Sequence, residues 1–321
     1  MTTQWTQTVD TLFTTTWSYR KKQATEQAFL KTPLIFWLRE NERIENISGY
    51  RRIEIPVEYG SNDTVRWFSK GDTVPIIDSE LATMAYEDWK YVSVSIMRWL
   101  QDEQQNRGKA AITNLIKLKL GAAERALWEE FERVMFSDGS GSKEPNGLRN
   151  IVATNPDTGT LHGLDRTEHP WWRNQAKTAS GAASVYLISD MRNALNNVLK
   201  YSRAELKDIT IVTTQEIFEL YEEEGYELYQ LTNNKLFDAG FDTLQFRGRP
   251  IMWCPSAPSG NMYFLNTAYI KLVCDEGYWM EMTNWKDIPN QPFDRAAQII
   301  CACNLTVSRP IVNVVLTGIH E

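Results

Sequence analysis

Residues 50–97 constrain this chain most, because they read as a β-ribbon too long and too charged to be stable by itself. Ile53, Ile55 and Val57 alternate with Arg52, Glu54 and Pro56, the period-two pattern of a strand with one apolar face. Residues 60–63 form a turn cluster, Thr64 to Phe68 reads as a returning strand, and Lys70, Gly71 and Asp72 make a second turn. A further strand is expected over 89–97. A two-stranded hairpin is marginal in water, and its edges can pair with other chains. The pattern therefore predicts a ribbon that lies on a neighbouring molecule. Arg51, Arg52, Glu54, Glu58, Arg66, Lys70 and Asp72 alternate in sign along it. Merely solvated charges contribute little each. On a neighbour they set register and exclude wrong partners, so these residues are the candidate inter-subunit contacts.

A long helix follows. Over residues 109–136 the apolar positions Ile112, Ile116, Leu120, Ala123, Leu127, Phe131 and Val134 recur at steps of three and four. At ~1.5 Å per residue the helix spans roughly 40 Å. Glycines and the polar Ser137 to Gly141 turn stop it. Residues 137–182 are rich in Gly and Pro and lack periodicity, as an interaction segment would be. The pattern then becomes α/β. Helices are expected over 185–201 and 214–231, the second capped by Thr213 or Thr214, with strands at 208–213, 248–253, 262–265 and 269–273. Two apolar strands over 296–319 break near Arg309 and Pro310. Before the ribbon, a helix is expected over 19–30, ended by Pro33.

Composition narrows the function. Hydrophobic residues at 42% can bury a sizeable core, and the 12 Trp and 13 Tyr suit extensive contact surfaces. A net charge of −7 excludes a protein that coats nucleic acid through a basic surface, but suits one that encloses it. Cys254, Cys274, Cys301 and Cys303 lie in apolar, strand-like stretches, as free buried thiols of a reducing cytoplasm do. The N-terminus lacks the basic start and apolar run of a signal peptide, and the apolar run at 33–38 is too short to span a bilayer. A soluble protein made in a cytoplasm is expected.

No motif of catalysis stands out. His162 and His169 flank Asp165 and Glu168 without tight metal-ligand spacing, so a polar surface loop is the default. The segment from Asp138 to Lys143 has glycines and a lysine but not the phosphate-loop spacing, and reads as a turn. Cys301 and Cys303 share one face of a strand, as small core residues do. Glu219, Glu222, Glu223, Glu224 and Glu227 read as a solvated helix face, since adjacent glutamates on a helix cannot oppose each other across a substrate.

Several strings, in this order, resemble the tailed-bacteriophage major capsid proteins of the Hong Kong 97 type. They are Tyr86-Glu-Asp-Trp-Lys-Tyr91, Gly108-Lys-Ala-Ala-Ile112, Phe136-Ser-Asp-Gly139, Asn146-Gly-Leu148, Gly163-Leu-Asp-Arg166 and Trp171-Trp-Arg-Asn174. The last two are the most specific, and the likeness runs from about residue 45 onward. The resemblance implies an α+β fold with an N-terminal arm (1–49), an extended hairpin or E-loop (50–97), and a spine helix with the loop-rich part of a peripheral domain (98–182). An axial domain (183–290) and C-terminal strands of the peripheral domain (291–321) complete it. It implies a non-enzymatic virion subunit, made in the bacterial cytoplasm, that assembles through pentamers and hexamers into an icosahedral shell. That shell encloses double-stranded DNA without sequence-specific contacts, needs no cofactor or metal, and touches no membrane. About 45 residues precede the ribbon, too few for a fused scaffolding domain, so a separate scaffolding protein or an already mature chain is expected, with a portal and a decoration protein as further partners. Some relatives link a ribbon lysine covalently to a neighbour's asparagine; Lys70 is the sole lysine between residues 50 and 89. The alternatives are an encapsulin-like nanocompartment shell and an α/β hydrolytic enzyme with residues 137–182 as its lid.

Overall fold

A computed structural model describes residues 10–18, 33–49, 51–60, 64–73, 80–99, 101, 109–202, 208–225, 244–291 and 294–320. Its longest element is helix α3 (Lys109–Met135), preceded by α1 (residues 10–18) and α2 (Pro33–Glu40). Of the apolar stripe, the positions from Ile116 to Val134 are all buried. The periodicity therefore gave both the helix and the face it presents to the core. Lys119 Nζ donates to the Met97 carbonyl at 3.0 Å, tying this helix to the strand beneath it.

That strand, β4 (Lys90–Arg98), corrects the first expectation. It is not the far half of the ribbon. It runs antiparallel along β15 (Arg295–Val307), from Arg98 opposite Arg295 to Lys90 opposite Cys303. The other edge of β15 takes β12 (Ile270–Asp275), β13 (Glu281–Met282) and β14 (Lys286–Asp287) in succession, and β1 (Ile44–Ile47) adds parallel to β12. The ribbon is instead β2 (Ile53–Glu58) against β3 (Ala82–Glu87). Residues 64–68, expected to be the return strand, form no strand.

A second sheet has the order β7-β16-β11-β8-β10-β9. Its strands are β7 (Gln175–Thr178), β8 (Ile209–Thr213), β9 (Leu244–Phe246), β10 (Arg249–Trp253), β11 (Met262–Asn266) and β16 (Val314–Thr317). Both faces are covered at its centre, so β8, β10, β11 and β16 are continuous runs of buried residues, whereas β7 at the edge alternates. Ile211, Ile251, Phe264 and Val314 pack with α4 (Ala183–Tyr201) and α5 (Gln215–Gly225). Their neighbours Val212, Met252, Tyr263 and Val315 join the core that α3 and the first sheet share. The expected domain limits do not follow the sheets. β7 from the 98–182 unit and β16 from the C-terminal strands lie in the second sheet, whereas β1 of the arm and β12 of the 183–290 unit lie in the first.

Near the N-terminus, Pro33 opens α2, as suits a residue with no amide hydrogen to leave unsatisfied. The helix expected over 19–30 lies outside the described residues, as does the end of the one expected over 214–231. Thr214 Oγ1, expected as a cap, is buried and has no partner among the described residues. In α1, Asp10 is gripped by Arg98 and Arg295, and Trp17 Nε1 donates to the Met280 carbonyl at 3.1 Å.

Candidate inter-subunit surface

The ribbon has a buried stem and a bare tip. Ile53, Ile55 and Val57 on β2 and Ala85 on β3 join the molecule's own core, so the stem is supported within the chain. Tyr59 extends this support by stacking on Trp171, with ring centroids 4.5 Å apart and planes 12° from parallel. The outward face carries Glu54, Pro56 and Glu58 on β2, which lie opposite Tyr86, Met84 and Ala82 on β3. Tyr86 and Met84 are exposed.

The charged residues expected to make contacts are all exposed, but they fall into two groups. Arg51, Arg52, Glu54 and Glu58 lie on the stem. Arg66, Lys70 and Asp72 lie on the tip. Arg52 Nε reaches Asp88 Oδ1 at 2.8 Å, with both side chains more than half exposed. Asp72 accepts from the Ser69 amide at 2.7 Å, which closes the turn around Lys70.

Charge alone missed the apolar residues among them. Trp67 is fully exposed, Val65 is 85% exposed and Phe68 72%. The signal was present in the sequence: three apolar residues, two of them large aromatics, within four positions bracketed by turn clusters. The sequence reads them as part of a returning strand, and nothing among the described residues covers them.

The specific motifs fix the platform below. Trp172 Nε1 donates to the Leu161 carbonyl at 3.0 Å, and Asn174 exchanges two bonds with the backbone of Ala153, at 2.8 and 3.0 Å. The buried Arg166 guanidinium donates to the carbonyls of Asn150 and Ile151. Burial pushes its pKa down to about 10. A Cβ on Gly147 would lie 2.2 Å from the Ser137 amide nitrogen, so only glycine lets this turn abut the end of α3. Residues 137–182 thus send Leu148, Ile151, Val152, Leu161 and Trp172 into the core. His162 is buried too, which corrects its reading as a polar surface residue.

Of the remaining chemical candidates, Cys301 and Cys303 are buried with Cys254 and Cys274, and all four are free thiols. Burial pushes the Cys303 thiol up, with Cys301 adding to the effect. Glu222 and Glu223 are solvated. Asp138 accepts from Ser140 within a turn. Among the described residues no three His, Cys, Asp or Glu side chains are arranged to hold a metal. None of the described helices is long and apolar enough to cross a membrane. A cleft of about 90 Å³ between β4 and α3 is lined by Val92, Phe131, Val134 and Pro145. Its two acids, Glu130 and Glu144, are both engaged by Arg133 at 2.7 and 2.8 Å.

At the level of sequence, neither the known family models nor the curated proteins give a match. Solved structures do. The cyanophage A-1(L) capsid asymmetric unit is similar over 91% of this chain and 94% of its own, with a TM-score of 0.69 and 15% identity. The capsid of the native GTA particle is similar over 88% and 90%, at 0.58 and 11%. The holo-SrpI encapsulin complex from Synechococcus elongatus is similar over 88% and 87%, at 0.55 and 13%. The chain has the Hong Kong 97-type capsid fold, with mixed helix and sheet.

Proposed function

We propose that this chain is the repeating subunit of a tailed-phage capsid, a non-enzymatic protein that closes into an icosahedral shell through pentamers and hexamers. The observation that carries the reading is the ribbon tip. Large apolar side chains on an extended, charged loop are costly to leave in water, and such patches mark interaction sites. Trp67 and Phe68 suit the central anchors of an interface, with Arg66, Lys70 and Asp72 as its polar rim. The stem charges Arg51, Arg52, Glu54 and Glu58 would then set the register of the same contact. A tip that meets a different surface on the next copy makes a head-to-tail interface, and a closed rotation turns such an interface into a ring. In this reading the second sheet with α4 and α5 lies toward the ring axis, and the first sheet with α3 forms the periphery.

The shell would enclose double-stranded DNA without binding its sequence, as the net charge of −7 suits. Its partners would be copies of itself, a separate scaffolding protein, a portal and a decoration protein. It would be made in the host cytoplasm and end in the virion. The encapsulin likeness favours a second reading, a compartment around a protein cargo.

Electron microscopy of the protein expressed alone, and again with its neighbouring genes, tests the first reading. Closed shells, or rings that close when a scaffold is supplied, are expected. A stable small oligomer in both cases would overturn it. Particles that carry a cargo enzyme rather than DNA would turn the assignment to the encapsulin reading. On denaturing gels of the same particles, a ladder that disappears in Lys70→Arg would assign the covalent link to Lys70.

A further inference from the structure

Among the ties between the ribbon stem and the first sheet is one buried, titratable side chain, His162. Strands β5 (Thr160–Leu161) and β6 (Leu164–Asp165) form a hairpin whose two turn residues, His162 and Gly163, have φ of 50° and 77°. Two successive positive φ values belong to the tight turn that favours Asn, Asp or Gly. A histidine there is held by what its side chain touches. Its Nδ1 lies 2.8 Å from Glu87 Oε2, at the end of β3. Its Nε2 accepts the Val307 amide hydrogen at 3.1 Å, at the end of β15. The His162 carbonyl accepts from the Tyr86 amide at 3.0 Å, so backbone and ring both hold the stem.

An imidazole that accepts at Nε2 carries its proton at Nδ1 and is neutral. A second proton would land on Nε2, opposite the Val307 amide. Two donors then face each other and that bond is lost. The bond to Glu87 becomes an ion pair and tightens. The charged groups at the site are Glu87 on β3 and Lys90 on β4, which acts on Glu87, while Asn146 bonds the same carboxylate and the Trp172 ring lies edge-on to the imidazole. Burial pushes the Glu87 carboxyl up, but His162, Asn146 and Lys90 together outweigh it and keep the group below the usual glutamate range. It therefore stays ionised while a histidine titrates.

We propose that His162 positions the ribbon and acts as an acid-released latch: neutral, it joins β3 to β15; protonated, it keeps β3 and lets β15 go. The apolar face of the stem keeps its place in the core, so the change is confined to the junction between the β5–β6 turn and the end of β15. This inference goes beyond the shell reading and does not need it, because the latch lies within one chain.

Hydrogen exchange of the unassembled full-length protein, followed from about pH 8 to about pH 5 and corrected for intrinsic rates, tests it. The Val307 amide is expected to exchange ~10-fold faster at the acid end, through a one-proton transition, while the Tyr86 amide keeps its protection. In His162→Gln, whose amide donates and accepts without titrating, the transition is expected to vanish. Should that variant fail to fold, Glu87→Gln is the second measurement, because removing the carboxylate charge should move the transition to lower pH. A flat wild-type profile, an unchanged transition in His162→Gln, or an unmoved midpoint in Glu87→Gln would each overturn the proposal.

Discussion

At the scale of residues, polar side chains buried between elements do much of the positioning. Asp190 on α4 accepts from Lys177 Nζ at 2.8 Å, from the Ser180 amide at 2.7 Å and from the Ser180 hydroxyl at 2.8 Å, so one carboxylate pins the helix to β7. Burial pushes this carboxyl up, but those hydrogen bonds outweigh it and leave it below the usual aspartate range. Asp190→Ala should cost about 2–4 kcal/mol in denaturant titrations, since it strands a buried amide and a half-covered ammonium. The pH dependence has a definite sign. A lowered folded value means that the unfolded chain takes up the proton first, so the contribution is complete above the unfolded aspartate value of about 4 and is lost as the pH falls through the folded one. Between about pH 5 and about pH 3 the wild type should therefore lose stability more steeply than Asp190→Asn in matched melts.

At the scale of elements, the ribbon divides into a stem whose apolar face joins the core and an exposed tip, the part proposed to make contact. Trp67→Ala combined with Phe68→Ala should leave the melting temperature of the unassembled protein unchanged, because neither ring is covered within the chain. The same pair should abolish or slow shell formation in light scattering, and normal assembly yields would remove the tip from the interface. Much of this element was legible beforehand. The alternation at Ile53, Ile55 and Val57 marked β2 and its inward face correctly. Its partner was not legible, because residues 82–87 (Ala82, Thr83, Met84, Ala85, Tyr86, Glu87) carry no strong alternation and only Ala85 faces the core. Strand β4 was found and then mispaired. Period two reports that a strand exists and which side is apolar, but its hydrogen-bonding partner β15 lies about 200 residues further on. The helix α3 was fully legible, since its bonds are local and its stripe points to one core. His162 was misread for the opposite reason: a histidine among polar turn residues looks solvated unless the strands that enclose it are known.

At the scale of the whole molecule, the second sheet is shared. Alternate residues of β8, β11 and β16 serve different cores, so neither core closes without the same strands. The unassembled protein should consequently unfold in one cooperative step, with calorimetric and van't Hoff enthalpies equal. Two resolved transitions would mean that the halves are separable. Strand order adds a matter of timing. β15 has β4, β12, β13 and β14 as partners and β16 has β7 and β11, and every one of these emerges from the ribosome earlier. A nascent chain therefore exposes its Trp67 tip long before the platform that another copy's tip would meet exists. If the tip makes the proposed contact, that delay would keep neighbouring nascent chains on one message from polymerising before release.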